Sequence, residues 1–248
     1  MATKTWIGTA GAAWGTSTNW SPSGIPASAD DIVFTGDASP TISTTARTCA
    51  NLTVNAGTVS IGGTAAFTIT GTITNNGTFT LPQAPTIQGS IVNNGYMETT
   101  TTAVITVSGG NFQTWALGSH NFHAVTLNKT TGTELRLDSA LQMLRATGST
   151  FSYTAGNLNQ NGNTISCRQF TENGTTARTW NMNAVVDITP SGTAPLSIND
   201  TTITFSAKNT FTISPQSGTA AINVSTVGGA VTAALAATSV RANHPSIA

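Results

Sequence analysis

The stretch GTITNNGTFTLPQAPTIQGSIVNNGYMETT, residues 71–100, shows the pattern from which the fold is predicted. Apolar residues fall at every second position, as in Phe79 and Leu81, and threonine occupies most positions between them. A period of two places alternate side chains on opposite faces of a β-strand, so each short run is expected to be a half-buried strand. The same alternation extends outward from Pro40 to about Val107.

Turns rich in asparagine and glycine separate these runs. Residues 55–57 (Asn-Ala-Gly), 75–77 (Asn-Asn-Gly) and 93–95 (Asn-Asn-Gly) recur at spacings of about 20 and 18 residues. An antiparallel meander places turn signals about every 8 to 12 residues, whereas a parallel β-helix stacks one corner per turn of about 20 residues. The sequence therefore predicts an all-β fold, a parallel β-helix (solenoid). The alternative is a β-sandwich or an antiparallel trimeric fibre.

The composition supports strands and excludes several partners. Threonine makes up about a fifth of the 248 residues, and only 7% are charged, with a formal net charge of zero. Ordinary soluble domains are about 25% charged. The bias toward β-branched residues favours strands over helices. Without a basic excess the chain has no electrostatic footprint for nucleic acid or an anionic membrane, so neither is predicted as a partner.

Three segments follow from these patterns. Residues 1–36 form an N-terminal, tryptophan-containing cap or attachment segment, and residues 37–215 form the solenoid body, with a possible break near 108–123. Residues 216–248 are alanine-rich and are expected to close the solenoid or bind a partner subunit. Within the body, residues 138–145 (DSALQMLR) fit either a helical turn or two, or another coil.

The distinctive residues of the chain concentrate in the first segment. Trp6, Trp14 and Trp20 bring a large apolar area, and Asp30 and Asp31 precede the strand-like run Ile-Val-Phe. The segment comes before the first repeat, where a solenoid needs a cover over its open end. These five residues are the predicted partner-binding or capping residues.

Specific sequence motifs link the chain to a known class of proteins. The pattern W…W…NWSP.G.P…DDIVF is followed by RTCANLTV and by segments such as GTITNNGTFTL and GNLNQNGNTIS. Together they resemble the β-helical structural proteins of tailed phages, and similar motifs occur in repeat-rich bacterial adhesins. The resemblance implies an external component of a virus particle, a head decoration, fibre or tail protein, commonly trimeric. The chain departs from larger tailspikes because it shows no receptor-binding or chaperone domain at its C-terminus.

Catalysis is not predicted. Neighbouring residues of a strand point to opposite faces, so Asp30 and Asp31 are not expected to share a site. The other acids stand singly and show no recurrence at the coil spacing: Asp37, Glu98, Glu134, Asp138, Glu172, Asp187 and Asp200. Most catalytic chemistry needs clustered ionisable groups, and this chain offers few. We therefore predict no enzyme activity and no cofactor.

Histidine and cysteine give no metal-binding pattern. His120 and His123 would share a face on a helix, but on a strand their odd spacing puts them on opposite faces, so no metal site is predicted. Cys49 and Cys167 are far apart in sequence. They are interpreted as two small buried residues rather than a disulfide framework.

A glycan-binding or depolymerising spike is the second hypothesis. It requires a groove in which exposed aromatics stack on sugars, so it predicts that Trp115 and Trp180 converge with acids such as Glu134 or Asp138. The alternative interpretation is that both tryptophans lie in the core or in a protein interface and do not bind sugar. A fragment of a bacterial surface adhesin is the third hypothesis, and it predicts an upstream signal peptide.

The first hypothesis is a non-enzymatic structural protein on the exterior of a phage particle. The N-terminus has no apolar core of about 7 to 15 residues, so no secretory signal is expected. No stretch reaches the roughly 18 apolar residues of a membrane span. The predicted location is the virion, after synthesis in the host cytoplasm. The predicted partners are other copies of the chain in a trimer, a capsid or tail protein, and a host surface glycan.

Overall fold

A computed structural model describes residues 1–145, 148–172 and 174–189 and, further along the chain, only six strands between 196 and 242. The described chain is a β-solenoid of about seven stacked turns with almost no helix. Each turn contributes one short strand to each of three faces, so the predicted parallel β-helix is confirmed. The only described helix is a 3₁₀ turn, Ser17–Asn19.

Face 1 is a sheet of eleven described strands. In spatial order they are β2 (Trp20–Ser21), β1 (Thr3–Trp6), β3 (Asp31–Phe34), β5 (Leu52–Val54), β8 (Ile73–Asn75), β11 (Ile91–Asn93), β14 (Gln113–Ala116), β17 (Glu134–Leu137), β20 (Asn157–Asn159), β23 (Arg178–Asn181) and β26 (Ile203–Ala207). Strand β2 pairs antiparallel with β1, whereas β1 pairs parallel with β3. The first hairpin therefore joins the solenoid sheet directly and covers its edge.

Face 2 is a parallel sheet of ten described strands. They are β4 (Arg47–Cys49), β7 (Phe67–Ile69), β10 (Pro85–Ile87), β13 (Val104–Val107), β16 (Ala124–Asn128), β19 (Thr150–Ala155), β22 (Gln169–Glu172), β25 (Leu196–Ile198), β28 (Ala220–Val224) and β30 (Val240–Ala242). The sheet runs through the predicted break near 108–123 without interruption, since β13 pairs with β16.

Face 3 consists of two separate parallel sheets. The first contains β6 (Thr58–Ser60), β9 (Thr78–Leu81), β12 (Tyr96–Thr99) and β15 (Ser119–Asn121). The second contains β18 (Leu141–Met143), β21 (Ile165–Cys167), β24 (Val186–Ile188), β27 (Thr210–Ile213) and β29 (Thr232–Leu235). The division lies between β15 and β18. The stretch 138–145 thus supplies a strand of the next coil, not the helical turn that was one of its two predicted forms.

The predicted alternation describes the core correctly. Phe67 and Ile69 on face 2, and Phe79 and Leu81 on face 3, are fully buried, while the threonines between them face outward. Full burial of such a side chain contributes about 1.5–3 kcal/mol. The buried apolar residues form one continuous cluster along the described turns. The stack of turns therefore behaves as a single hydrophobic core.

The asparagine-rich corners stack as predicted. The Asn75 side chain donates from Nδ2 to Asn93 Oδ1 at 2.7 Å, and Asn93 donates to the Ser119 carbonyl at 2.9 Å. Beside this buried row, Asn94 donates from Nδ2 to Asn76 Oδ1 at 2.9 Å. Each bond joins one turn to the next, so the amides satisfy corner groups that the strands leave unpaired.

The alanine-rich segment 216–248 is described only in part. Within it, β28 and β30 extend face 2 and β29 extends face 3, each by parallel pairing. The rest of the segment lies outside the described residues. Its predicted closing or partner-binding role stays a prediction.

Candidate functional site

The N-terminal end of the core is closed by aromatic rings. Trp14 is 1% exposed, and its ring centroid lies 5.2 Å from that of Phe67, 6.4 Å from that of Phe34 and 4.7 Å from that of Trp20. Trp20 donates from Nε1 to the Trp14 carbonyl at 2.8 Å, and Trp6 packs edge-on against Trp20 at 4.9 Å. The rings cover the first turns of the solenoid, as a cap must.

This packing changes what the three tryptophans can offer a partner. Trp6, Trp14 and Trp20 are 6%, 1% and 1% exposed. A ring enclosed by its own chain is not available to another protein, so the structure favours the cap over a docking plug made of these indoles. Trp6 Nε1 is buried and has no hydrogen-bond partner, so this group gains nothing to offset its desolvation.

The two adjacent aspartates also serve the cap, and they face different partners as expected. Asp30 is 7% exposed and accepts hydrogen bonds from the backbone N–H of Ala2 at 2.7 Å and of Ala27 at 2.9 Å. The bonds from Ala27 and Ala2 lower the pKa of Asp30. Asp31 Oδ1 accepts from Asn51 Nδ2 at 2.8 Å. Asp30 therefore fastens the chain start to the cap loop, and Asp31 fastens the cap to the next turn.

Three hollows, that is, shallow surface cavities, lie near the cap, and each has a smaller volume than a typical ligand pocket. One of about 240 Å³ lies beside Trp6 and Ile7, and one of about 220 Å³ lies beside Ser39 and Ser60. A third, of about 90 Å³, lies beside Arg47. Pockets for organic ligands are typically about 300–1,000 Å³. These three hollows therefore offer surface for contact rather than an enclosed site.

The predicted convergence of Trp115 and Trp180 with surface acids is wrong. Trp115 and Trp180 are both fully buried. Trp180 stacks on Phe170 at 5.1 Å, deep in the core. Their side chains alternate with outward-facing neighbours on β14 and β23, so they point into the solenoid because of strand period. They cannot converge with Glu134 and Asp138, which lie on the outer surface.

His120 has a structural role. His120 is 8% exposed; its Nδ1 lies 3.0 Å from the Gly118 carbonyl, and its Nε2 accepts from the Gln142 backbone N–H at 2.8 Å. These partners require the neutral tautomer with the proton on Nδ1. Burial lowers the pKa of His120, in agreement with a neutral ring. The imidazole joins β15 to β18 where the two sheets of face 3 separate.

Neither cysteine nor any metal cluster defines a site. Cys49 and Cys167 are free and fully buried, and burial raises the pKa of both thiols, so each is an inert core residue, as interpreted from the sequence. In the described part of the chain, no three His, Cys, Asp or Glu residues lie together in a way that could hold a metal ion. The same residues include no helix long and apolar enough to cross a membrane.

The outer surface of face 1 holds an unexpected group of side chains. We call it the Phe112 patch, and it consists of Phe112, Glu134, Arg136, Asp138, Asn159 and Asn161. Phe112 is 54% exposed, and the Arg136 guanidinium lies 5.5 Å from its ring centroid. Arg136 donates from Nε to Asp138 Oδ1 at 2.8 Å and from Nη2 to Asp138 Oδ2 at 3.1 Å.

Sequence reasoning missed this patch, although a signal was present. Counting back in steps of two from Trp115 makes Gln113 an inward position and Phe112 an outward one. Glu134, Arg136 and Asp138 likewise alternate with the core residues of β17. An outward aromatic next to an outward row of charges could therefore have been identified once the phase of the strands was known.

Three buried charged side chains were also missed. Glu172 and Arg178 form an ion pair with both side chains fully buried, and the Arg178 guanidinium lies 5.2 Å from the Tyr153 ring centroid. Lys129 is 2% exposed and donates from Nζ to the Asn111 carbonyl at 2.7 Å. Burial lowers the pKa of Lys129 to about 8. The Glu172–Arg178 pair and the Lys129–Asn111 hydrogen bond each connect separate parts of the longer turns inside the solenoid.

Face 2 has a different outer surface. One residue position, repeated in successive turns, is occupied by a threonine or serine in every described turn from β4 to β25: Thr48, Thr68, Thr86, Thr106, Thr126, Ser152, Thr171 and Ser197. Strands in a sheet lie about 4.8 Å apart, so these hydroxyls form a regular, uncharged column. Such a column keeps an exposed sheet soluble without ion pairs.

No family model, curated protein or solved structure matches this chain.

Proposed function

We propose that the chain is a non-enzymatic structural rod on the exterior of a tailed-phage particle, a head decoration, fibre or tail component that acts as a homotrimer. The observation that supports this role is the single core running under a neutral surface, with the threonine and serine column of face 2 on its outside. A stack of parallel strands satisfies backbone groups turn by turn and resists bending.

Few ion pairs contribute to this rod. Among the described residues there are three: Arg136–Asp138, Arg145–Glu98 and the buried Arg178–Glu172. Salt screens exposed pairs and hardly affects apolar burial, so the stability of the rod should change little with ionic strength. This property suits a particle that meets varied solutions outside a cell.

Attachment to the particle is proposed to use the outside of the cap. The tryptophans are enclosed, but Met1, Ile7 and Ile25 are 85%, 60% and 45% exposed within the same segment. Asp30 ties the Met1 end of the chain to the loop that carries Ile25, through its bonds to Ala2 and Ala27. Exposed apolar side chains on a fixed scaffold favour docking on a protein partner.

The experiment is a solution-mass measurement combined with analysis of particles. Light scattering of the full chain should give a mass three times that of the 25.3 kDa protomer. Mass spectrometry of particles purified from the source culture should detect the chain. Its absence from the particles, or a monomer at micromolar concentration, would contradict the proposal.

A matched pair of variants then tests the cap. Ile7→Ser together with Ile25→Ser should leave the melting temperature unchanged and remove the chain from particles. Thr58→Ser with Thr70→Ser, at exposed positions outside the cap, is the control and should leave both properties unchanged. Retention of the isoleucine variant on particles would place the attachment surface elsewhere.

A further inference from the structure

The Phe112 patch has a geometry set by strand register. Thr114 on β14 pairs with Arg136 on β17, and Arg136 pairs with Asn159 on β20. Outward residues two apart on a strand are about 6.8 Å apart, and neighbouring strands are about 4.8 Å apart. The patch is therefore a shallow grid of side chains rather than a pocket.

The residues on both sides of the exposed aromatic ring are held by hydrogen bonds. Just before Phe112, the Asn111 carbonyl accepts from the buried Lys129 ammonium at 2.7 Å. Just after it, Gln113 donates from Nε2 to the Ser108 carbonyl at 2.7 Å. Phe112 is the one aromatic among the large apolar residues that are exposed in the described chain. An exposed apolar ring that lies outside the core, between two anchored residues, offers a contact surface for a ligand.

The polar side chains around the ring are also fixed. Asn161 donates from Nδ2 to Asp138 Oδ1 at 3.1 Å, and Asn159 donates from Nδ2 to Glu134 Oε1 at 3.3 Å. Asp138 holds the Arg136 guanidinium over the Phe112 ring. Each of these carboxylates and amides has hydrogen-bonding capacity beyond the bonds it makes here. The patch thus combines one ring with several aligned donors and acceptors.

This combination matches the chemistry of a sugar chain. A pyranose has an apolar C–H face that packs on an aromatic ring, and hydroxyls that pair with carboxylates, amides and guanidinium groups. The charge of the patch defines the class further. Glu134 and Asp138 outnumber Arg136, and Arg136 is already paired with Asp138, so an acidic sugar would meet net repulsion.

A second protein is a poorer fit for the same surface. Burying Glu134 and the Arg136–Asp138 pair in a dry interface would remove charges from water, and the Coulombic gain of such a pair often does not offset that cost. A hydrated glycan leaves these groups partly solvated, and water can bridge the remaining gaps.

We propose that the Phe112 patch binds a neutral glycan chain, with the ring stacked on a sugar and the carboxylates and amides bonded to its hydroxyls. This binding site is separate from the cap and does not depend on the structural role proposed above. It adds a recognition function to one face of the solenoid.

The test is calorimetric titration of the full chain with defined sugars. The probes are maltohexaose, cellohexaose and N-acetylchitohexaose, with hexagalacturonic acid as the acidic counterpart. We expect at least one neutral hexasaccharide to bind and the acidic one to bind more weakly. No binding by any neutral probe at millimolar concentration, or tighter binding of the acidic one, would overturn the proposal.

Substitutions assign the binding to the patch. Phe112→Ala should weaken the binding of the neutral probe by about tenfold because the stacking surface is lost. Val104→Ala removes a 41% exposed apolar side chain from face 2 and serves as the matched control, with unchanged affinity expected. Equal affinity of the Phe112 variant and the parent would show that the sugar binds elsewhere. Melting curves of both variants establish that they are folded.

Discussion

Gly95 in an early turn of the solenoid and Gly162 in a late turn are required for different reasons. Gly95 follows an asparagine pair in a short turn, where Ile73 and Ile91 pair across 18 residues, and a Cβ at Gly95 would overlap the Gly77 carbonyl oxygen of the preceding turn. Gly162 lies in a longer turn and has φ +79°, and a Cβ added there would meet no atom within 4 Å. The Gly95 corner therefore needs glycine for close approach, whereas the Gly162 corner needs it for its backbone conformation.

The two parts of face 3 are joined differently from the strands within its first sheet. From β6 to β15 the strands pair by their backbones, but between β15 and β18 the His120 ring takes the place of a backbone acceptor for Gln142. The Phe122 N–H donates to the Gln142 carbonyl at 3.3 Å on the same border. The strands of the first sheet are thus joined by sequence-independent backbone bonds, whereas the border combines one backbone bond with one specific side chain.

The largest effect is expected at a tight corner. Gly95→Ala should lower the free energy of unfolding by about 3 kcal/mol, because the added methyl group has backbone on its far side and cannot be accommodated by a rotamer change. Gly162→Ala should cost about 1–2 kcal/mol through its left-handed backbone. Urea titration of both variants measures the difference.

Gly36→Ala is the control for this pair, since no atom lies within 4 Å of its added Cβ and its φ is not left-handed. Its stability should stay within about 0.5 kcal/mol of the parent. If Gly95→Ala were as stable as Gly36→Ala, the early turns would not be stacked as closely as described here.

An intermediate effect is expected at the border of face 3. His120→Phe keeps a ring beside Phe122, whose centroid lies 4.9 Å from that of His120, but it removes the acceptor for the Gln142 N–H. An unpaired buried donor costs about 1–3 kcal/mol. Urea titration should show this loss, and hydrogen exchange should be faster at the Gln142 amide.

His123→Phe provides the comparison for that variant, because its ring makes only a long contact of 3.5 Å, between Nδ1 and the Ser149 hydroxyl. A smaller loss of stability is expected there. Equal losses in the two variants would mean that ring burial, rather than the bond to Gln142, accounts for the effect.

The sequence predicted the repetitive parts of this molecule better than the singular ones. The fold followed from alternation at positions such as Phe79 and Leu81, because strand period depends on local pattern alone. The cap followed from the position of Trp14 before the first repeat. The Phe112 patch and the role of His120 depend instead on which turns become neighbours. That register comes from turn lengths, which vary between 18 residues from Ile73 to Ile91 and 26 from Phe170 to Leu196.

The smallest effect is the dependence of stability on pH at the same border. Burial lowers the pKa of His120 in the folded chain below its ordinary value of 6.5, so the unfolded chain binds the proton more readily. The stability contributed by the neutral ring is therefore fully present above about pH 6.5 and declines as the pH falls below it.

Other groups near the border must be separated from His120. The pKa of His123 is also lowered, by burial and by Arg145, and it gives a slope of the same sign in the same window. Glu98 is paired with Arg145, and its lowered pKa affects stability only below its ordinary value of 4.5. Unfolding of the parent and of His120→Phe should therefore be compared between pH 7.5 and about 5.5. The variant should show a shallower slope, and parallel slopes would mean that the His120 ring is not held neutral against Gln142.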